Sequence, residues 1–227
     1  MSELQSLASS VSPSIQVYGL SCDVSCSVSL DKAVSDGISL LHDDFDILVA
    51  SAGMSKPSLF QDLSVTDFDK MFQINSLGCM YSVKAILPSI QKKGAGGRIM
   101  IVSSMAGLSG VAGYTAYSAS KFALRGFAES LHMELLPQGI AVTIINPPDV
   151  DTPMYQEENK VPTLNTHTKH TYTYILRHRQ ILRQHTHSHI HRHICVLLSN
   201  LFDNLTLVIY FFFVCSCVCS RLLPIYF

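Results

Sequence analysis

Gly97-Arg-Ile-Met-Ile-Val-Ser-Ser104 is a nearly continuous apolar run that closes on two hydroxyls, and it reads as a buried parallel strand. Thirteen residues after Ser104, across a glycine-rich loop, stands Tyr117-Ser-Ala-Ser-Lys121, which opens a helical pattern over 115–136. Outward from this pair the same two periods alternate. Strands are predicted at 15–21, 46–51 and 140–146, and helices at 27–41 and about 65–92. Thr66 is the expected cap of the long helix, Gly94-Ala-Gly-Gly97 forms the loop after it, and Pro137-Gln-Gly139 stops the Tyr117 helix. Alternation in this order predicts an α/β fold, a parallel sheet wrapped by helices.

Residues i and i+4 of a helix share a face, so the Lys121 ammonium lies beside the Tyr117 phenol. A phenol titrates near pH ~10, and an adjacent cation favours its ionised form. A tyrosine tuned in this way can exchange a proton with a substrate oxygen near neutral pH. The plainer reading of the bare spacing is a half-buried tyrosine beside a solvated lysine. Small residues at Ser118, Ala119, Ser120 and Ala123 let this helix approach a sheet or a flat ligand.

The surrounding motifs decide between the two. Upstream lie Asp46-Ile-Leu-Val-Ala-Ser-Ala-Gly53 and Ile74-Asn-Ser-Leu-Gly78, and downstream Val142-Thr-Ile-Ile-Asn-Pro-Pro-Asp-Val-Asp-Thr-Pro153. With these, residues from about Ile15 to Pro162 resemble the short-chain dehydrogenase/reductases. Within that superfamily they are most similar to the 3-ketodihydrosphingosine reductases. Phe122-Ala-Leu-Arg-Gly-Phe-Ala-Glu-Ser-Leu131 and Glu157-Glu-Asn159 carry that narrower likeness, as does Pro147-Pro148 where most relatives have Pro-Gly.

The resemblance implies a Rossmann-like doubly wound sheet and NADPH-dependent reduction of 3-ketodihydrosphingosine to dihydrosphingosine. It implies that Tyr117 donates the proton and that Lys121 lowers the tyrosine pKa and holds the nicotinamide ribose. Ser104 would stabilise the developing oxyanion, with Ser103 the adjacent alternative, and Asn75 would position a water leading from Lys121 to solvent. Asp23 and Val24 would meet the adenine, though an aspartate after a strand is also a common helix cap. Ala52 and Gly53 would admit the cofactor closely, and Pro147, Val150 and Thr152 would fold over the nicotinamide amide. The implied location is the endoplasmic reticulum membrane with the site facing the cytosol, and a homo-oligomer is compatible with the family.

Two departures accompany the likeness. No Gly-x-x-x-Gly-x-Gly turn is present, so strands one and two of the usual order 3-2-1-4-5-6-7 and the phosphate-binding turn are expected to be missing. Residues 15–20 would then lack a neighbour, and 46–51 would become an exposed apolar edge. Ala50 stands where relatives have asparagine. Another ketoreductase acting on steroid, retinoid or acyl ketones, or a catalytically silent fragment, are the alternative functions.

The domain expectation is a partial short-chain dehydrogenase/reductase domain over 1–162 and a tail over 163–227. Eight of the ten histidines fall between His167 and His193, many alternating with Thr, Ser, Ile or Arg. Clustered imidazoles can bind zinc or copper. A translated CA repeat gives the same His–Thr alternation, and Cys215-Ser-Cys217-Val-Cys219 matches a translated TG repeat, so no metal site is assigned. Residues 205–219 are apolar but short of the roughly 20 residues of a spanning helix, and are the candidate membrane segment. A net charge of −1 with 15% charged residues gives no electrostatic reason for a nucleic-acid partner. Seven cysteines follow no disulfide spacing, and Cys22, Cys26 and Cys79 read as reduced thiols. The first apolar run is broken by Ser, Pro and Gln, unlike a secretory signal.

Overall fold

A computed structural model describes residues 17–150 and residue 154. Residues 15–16, Thr152 and the tail with its 205–219 segment lie outside them. The elements run α1 (Ser27–Leu41), β1 (Ile47–Ala50), α2 (Val65–Met71), α3 (Gly78–Lys93), β2 (Arg98–Val102), α4 (Thr115–Leu135) and β3 (Ala141–Ile145). A π-helical stretch, Phe72–Leu77, joins α2 to α3.

The three strands are parallel in the order β1-β2-β3. Their register pairs Leu48 with Ile99 and Ala50 with Ile101, and Ile99 and Ile101 in turn with Val142 and Ile144. Period two sends these six residues to one face. Right-handed crossovers between successive parallel strands put α3 and α4 on that same face. Leu48, Ile99 and Ile101 are no more than 1% exposed, and they pack with Leu30, Val34, Val83, Ile86, Ile90 and Leu124. Full burial of one such side chain contributes about 1.5–3 kcal/mol. The α/β class and the Rossmann-like parallel sheet are therefore as expected; a second helical layer on the other face is not among the described residues.

Three expectations need correction. The strand predicted at 15–21 forms no ladder over its described part, residues 17–21. A β-prone run becomes a strand only beside a partner, and none flanks it among the described residues. This segment instead packs by its side chains, with Cys22 and Val24 in the core and Leu20 near Gly37. For the same reason β1 is an edge without being an exposed apolar one: Ile47, Leu48 and Ala50 are each at most 5% exposed. The long helix is capped by Ser64 rather than Thr66. The Ser64 hydroxyl accepts from the Asp67 N–H, and the Asp67 carboxylate accepts from the Ser64 N–H.

Two polar ties fix where β1 begins. Ser89 Oγ accepts from the Phe45 N–H at 2.8 Å and donates to Asp44 at 2.7 Å. Lys93 spans Asp43 and Asp46 at 2.7 and 2.9 Å, and its bond to Asp43 holds that carboxylate below its usual range. No helix among the described residues is long and apolar enough to cross a membrane.

Candidate active site

The carboxyl ends of β1, β2 and β3 lead into residues 51–54, 103–107 and 146–150, and every described residue marked out by the sequence except Asp23 and Val24 lies there or on the adjoining π-turn and α4. Ligands of open α/β sheets bind at this edge. The loops after β2 and β3 stay in register beyond the strands, because Ser103 N–H donates to Ile145 O at 2.8 Å and Met105 N–H to Pro147 O at 3.0 Å.

Helix α4 carries the tyrosine–lysine pair. Lys121 is 4% exposed, and its ammonium donates to Val102 O, the last carbonyl of β2, at 3.1 Å. It lies 5.7 Å from the centroid of the Tyr117 ring. Burial brings the lysine down to about 8. Burial pushes the Cys79 thiol up to about 12, so it stays neutral. The half-buried Tyr117 ring is met edge-on by Tyr114, 6.0 Å away between centroids. Tyr117 thus sits between an aromatic ring one turn before it and a cation one turn after it.

The two serines after β2 divide by the alternation of an extended chain. Ser103 is 3% exposed, and its hydroxyl donates to Lys121 O at 3.1 Å, which fastens the loop to α4. Ser104 is half-buried and extended, and its Oγ accepts from Ala106 N–H at 3.1 Å, capping the short turn Met105–Gly107. Ser104 is the hydroxyl of the two not bonded to the helix backbone.

Asn75 sits in the π-helical stretch, fully buried. Its Oδ1 accepts from Met54 N–H at 2.7 Å, and its Nδ2 donates to Met54 O and to Ser120 Oγ, both at 2.9 Å. Ser120 Oγ donates in turn to Tyr117 O at 2.7 Å, and Ser76 Oγ donates to Ser120 O at 2.9 Å. The π-turn thereby clasps both the loop after β1 and the helix bearing Tyr117. Three of the four hydrogen bonds open to a carboxamide are filled, which leaves one lone pair on Oδ1. Sequence reasoning missed the parts played by Ser76, Ser103 and Ser120; the small residues of α4 were the available signal, and only their packing value was legible.

Gly53 lies between the two polar groups. A Cβ built on it would be 3.4 Å from both Asn75 Oδ1 and Lys121 Nζ. Ala52 is half-buried, Pro147 half-buried and Val150 exposed, all at the same edge. Val24, expected with Asp23 to meet the adenine, turns its side chain into the core. It is 5% exposed and packs on Gly78, whose Cβ would come within 2.9 Å of it, so only its backbone is left to face a ligand. Asp23 is exposed and is not a helix cap; its carboxylate accepts from Ser25 N–H and Oγ at 2.9 and 2.7 Å. Gln73 donates to Ser25 O at 2.9 Å and ties this turn to the π-helical stretch. Among the described residues no group of three His, Cys, Asp or Glu is placed to hold a metal.

The arrangement suits a dinucleotide with a ribose at Lys121. The ammonium has donor capacity beyond its one bond to Val102 O, and Gly53 opens the space next to it. A phenol, a cation and a serine hydroxyl gathered at the end of a parallel sheet can polarise and protonate a carbonyl.

Comparison with known proteins agrees. The family described as short chain dehydrogenase matches residues 2–162. The chain is 50% identical over 121 residues to the 3-dehydrosphinganine reductase of Danio rerio, covering 53% of this chain and 36% of that protein. It is 43% identical over 139 residues to the 3-ketodihydrosphingosine reductase of Bos taurus, covering 61% and 42%. The chain thus spans less than half the length of these relatives. Among solved structures, a dehydrogenase/reductase from Sinorhizobium meliloti superposes with a TM-score of 0.60 at 29% identity, covering 66% of this chain and 59% of that one. A parallel sheet that delivers Ser104, Tyr117 and Lys121 to one edge, over a span matched from residue 2 to 162, places this chain in the short-chain dehydrogenase family.

Proposed function

We propose that the protein reduces the ketone of a long-chain sphingoid substrate, 3-ketodihydrosphingosine, to the alcohol, with NADPH as the reductant. The observation that carries this reading is the buried Lys121 ammonium set against the Tyr117 ring at the carboxyl end of the sheet. The likeness to sphingoid reductases at 43–50% identity supports the substrate class. The family works with a nicotinamide cofactor, and the choice of NADPH over NADH is part of the proposal.

The chemistry that a nicotinamide dinucleotide would supply when held here is the hydride. Tyr117 gives its phenolic proton to the ketone oxygen, and the Lys121 cation favours the phenolate left behind. Ser104 offers its hydroxyl to the same oxygen while negative charge gathers there. Asp23, Val24 through its backbone, Ala52, Gly53, Pro147 and Val150 would hold the cofactor, and the family likeness assigns Thr152 to the same task. Asn75 holds Met54 and Ser120 in place and keeps one acceptor lone pair for a water beside Lys121.

We extend the reading to an endoplasmic reticulum location with the site facing the cytosol, to membrane association, and to self-association as a homo-oligomer. Free thiols at Cys22, Cys26 and Cys79 support a reducing compartment. The exposed Phe122 and Met133 on α4 offer an apolar surface for a second copy. Fluorescent-fusion imaging with carbonate extraction tests the first two, and sedimentation the third.

The deciding experiment incubates the purified chain with 3-ketodihydrosphingosine and NADPH or NADH and quantifies dihydrosphingosine by mass spectrometry. Turnover with NADPH is expected, together with a fall of about 10²–10⁴-fold in Tyr117→Phe. Equal rates in the two proteins remove Tyr117 from the mechanism. Faster reduction of a steroid, retinoid or acyl ketone would overturn the substrate assignment, and absence of both turnover and NADPH binding would establish a catalytically silent chain.

A further inference from the structure

Gly107 lies in the short turn after Ser104 and meets the catalytic helix edge to backbone. A Cβ built on it would be 2.5 Å from Ser103 Oγ, 3.0 Å from Lys121 O and 3.2 Å from Lys121 C. Two of those three neighbours are main-chain atoms of α4, which cannot swing aside. Conformational freedom does not explain the glycine, because its φ is not among the positive values found at Gly94, Gly96, Gly113 and Gly139. Looseness of the loop does not explain it either: three residues on, Gly110 has nothing within 4 Å of its Cβ position, whereas Gly107 itself is buried. The position requires glycine for space.

The space matters because of what passes through it. Ser103 Oγ donates to Lys121 O across the same gap at 3.1 Å, and Gly107 N–H donates to Ser104 O at 2.8 Å. At its other end Lys121 reaches back to Val102 O at 3.1 Å. The β2 end and its turn therefore grip Lys121 twice, by its carbonyl and by its ammonium, and the backbone that grips it is the one that carries Ser104.

We propose that Gly107 is a positioning residue. Its bare Cα lets the turn lie directly on the Lys121 peptide and so fixes the Ser104 hydroxyl relative to Tyr117 and Lys121. This rests on the reductase reading above. A methyl group at 107 drives the turn away from α4 by a few tenths of an ångström or more, and misplacement on the 1 Å scale costs about 10²-fold in rate.

The test compares wild type, Gly107→Ala and Ser103→Ala/Gly107→Ala by thermal melting, NADPH binding, and kcat and KM for the sphingoid ketone. The double variant removes the oxygen closest to the new methyl. Gly107→Ala should fold and bind NADPH like wild type, with kcat about 10²-fold lower, KM unchanged, and part of the loss recovered in the double variant. Unchanged kcat overturns the proposal. So does failure of both variants to fold, which makes the glycine a folding residue only, or a loss of NADPH binding as large as the loss in kcat, which leaves it no separate hold on Ser104. If wild type turns over no sphingoid ketone, the function assignment falls and the Lys121 titration, followed by NMR of labelled lysine, decides for Gly107. A lysine titration midpoint in Gly107→Ala that differs from wild type supports a turn whose contact with the Lys121 peptide positions that side chain; an unmoved midpoint overturns it.

Discussion

Lys121 sets function against stability within one side chain. Its ammonium is buried against Val102 O, and burial lowers its pKa from 10.5 to about 8. Between those two values the unfolded chain keeps a proton that the folded chain has released, so stability rises with pH across that window. Below it both states are protonated, and the folded state carries the cost of the buried charge, roughly 3 kcal/mol. Lys121→Met should therefore unfold at higher urea than wild type at pH 7, while losing reductase activity. Its stability should also lack the wild-type gain between pH 8 and 10.5. Parallel pH profiles in urea titrations of the two proteins would refute the burial argument. The tyrosine–lysine pair was legible in the sequence because four residues along a helix determine which face they share. The choice between Ser103 and Ser104 leaned on spacing and likeness, because adjacent residues differ only in which side of an extended chain they face.

At the scale of elements, the segment from Ser64 to Lys93 holds the main lesson. Its helical period gave the right extent, but two features of it are ones that hydrophobic pattern does not encode. One is the cap: Ser64 and Asp67 bond reciprocally, whereas Thr66 already lies within the first turn. Ser64→Ala should cost about 1 kcal/mol in chemical denaturation and Thr66→Ala much less. Equal losses would reassign the cap. The other is the π-turn at Phe72–Leu77, which inserts a wider coil where an ordinary helix was expected. It places Asn75 against both Met54 and Ser120, and hydrogen bonds to partners 21 and 45 residues away decide that geometry.

At the scale of the whole molecule, Phe45 joins the layers. It is 1% exposed, its N–H is held by Ser89 on α3, and its ring sits where a Cβ on Gly37 of α1 would come within 2.9 Å. Phe45→Ala should cost about 3–5 kcal/mol, seen as a lower urea midpoint with an unchanged m-value if sheet and helices unfold together. A biphasic transition would show that α1 and β1 unfold apart from the rest.

By itself, the sequence determined the order of strands and helices, the parallel α/β class and the chemical identity of Asn75, Ser104, Tyr117 and Lys121. The elements follow from periods within short windows, where neighbours along the chain are neighbours in space, and the four site residues were marked out together by the likeness to a family. Only the tertiary structure decided that residues 17–21 pack without pairing, that Val24 turns into the core, that the Ser103 hydroxyl bonds to α4, and that Gly107 lies on the Lys121 peptide. Each of these depends on which distant segment supplies the missing partner: a strand for a hydrogen-bond ladder, a glycine for a valine, a carbonyl for a hydroxyl. Contacts of that kind are fixed by packing between elements, and no local window of residues contains both halves of them.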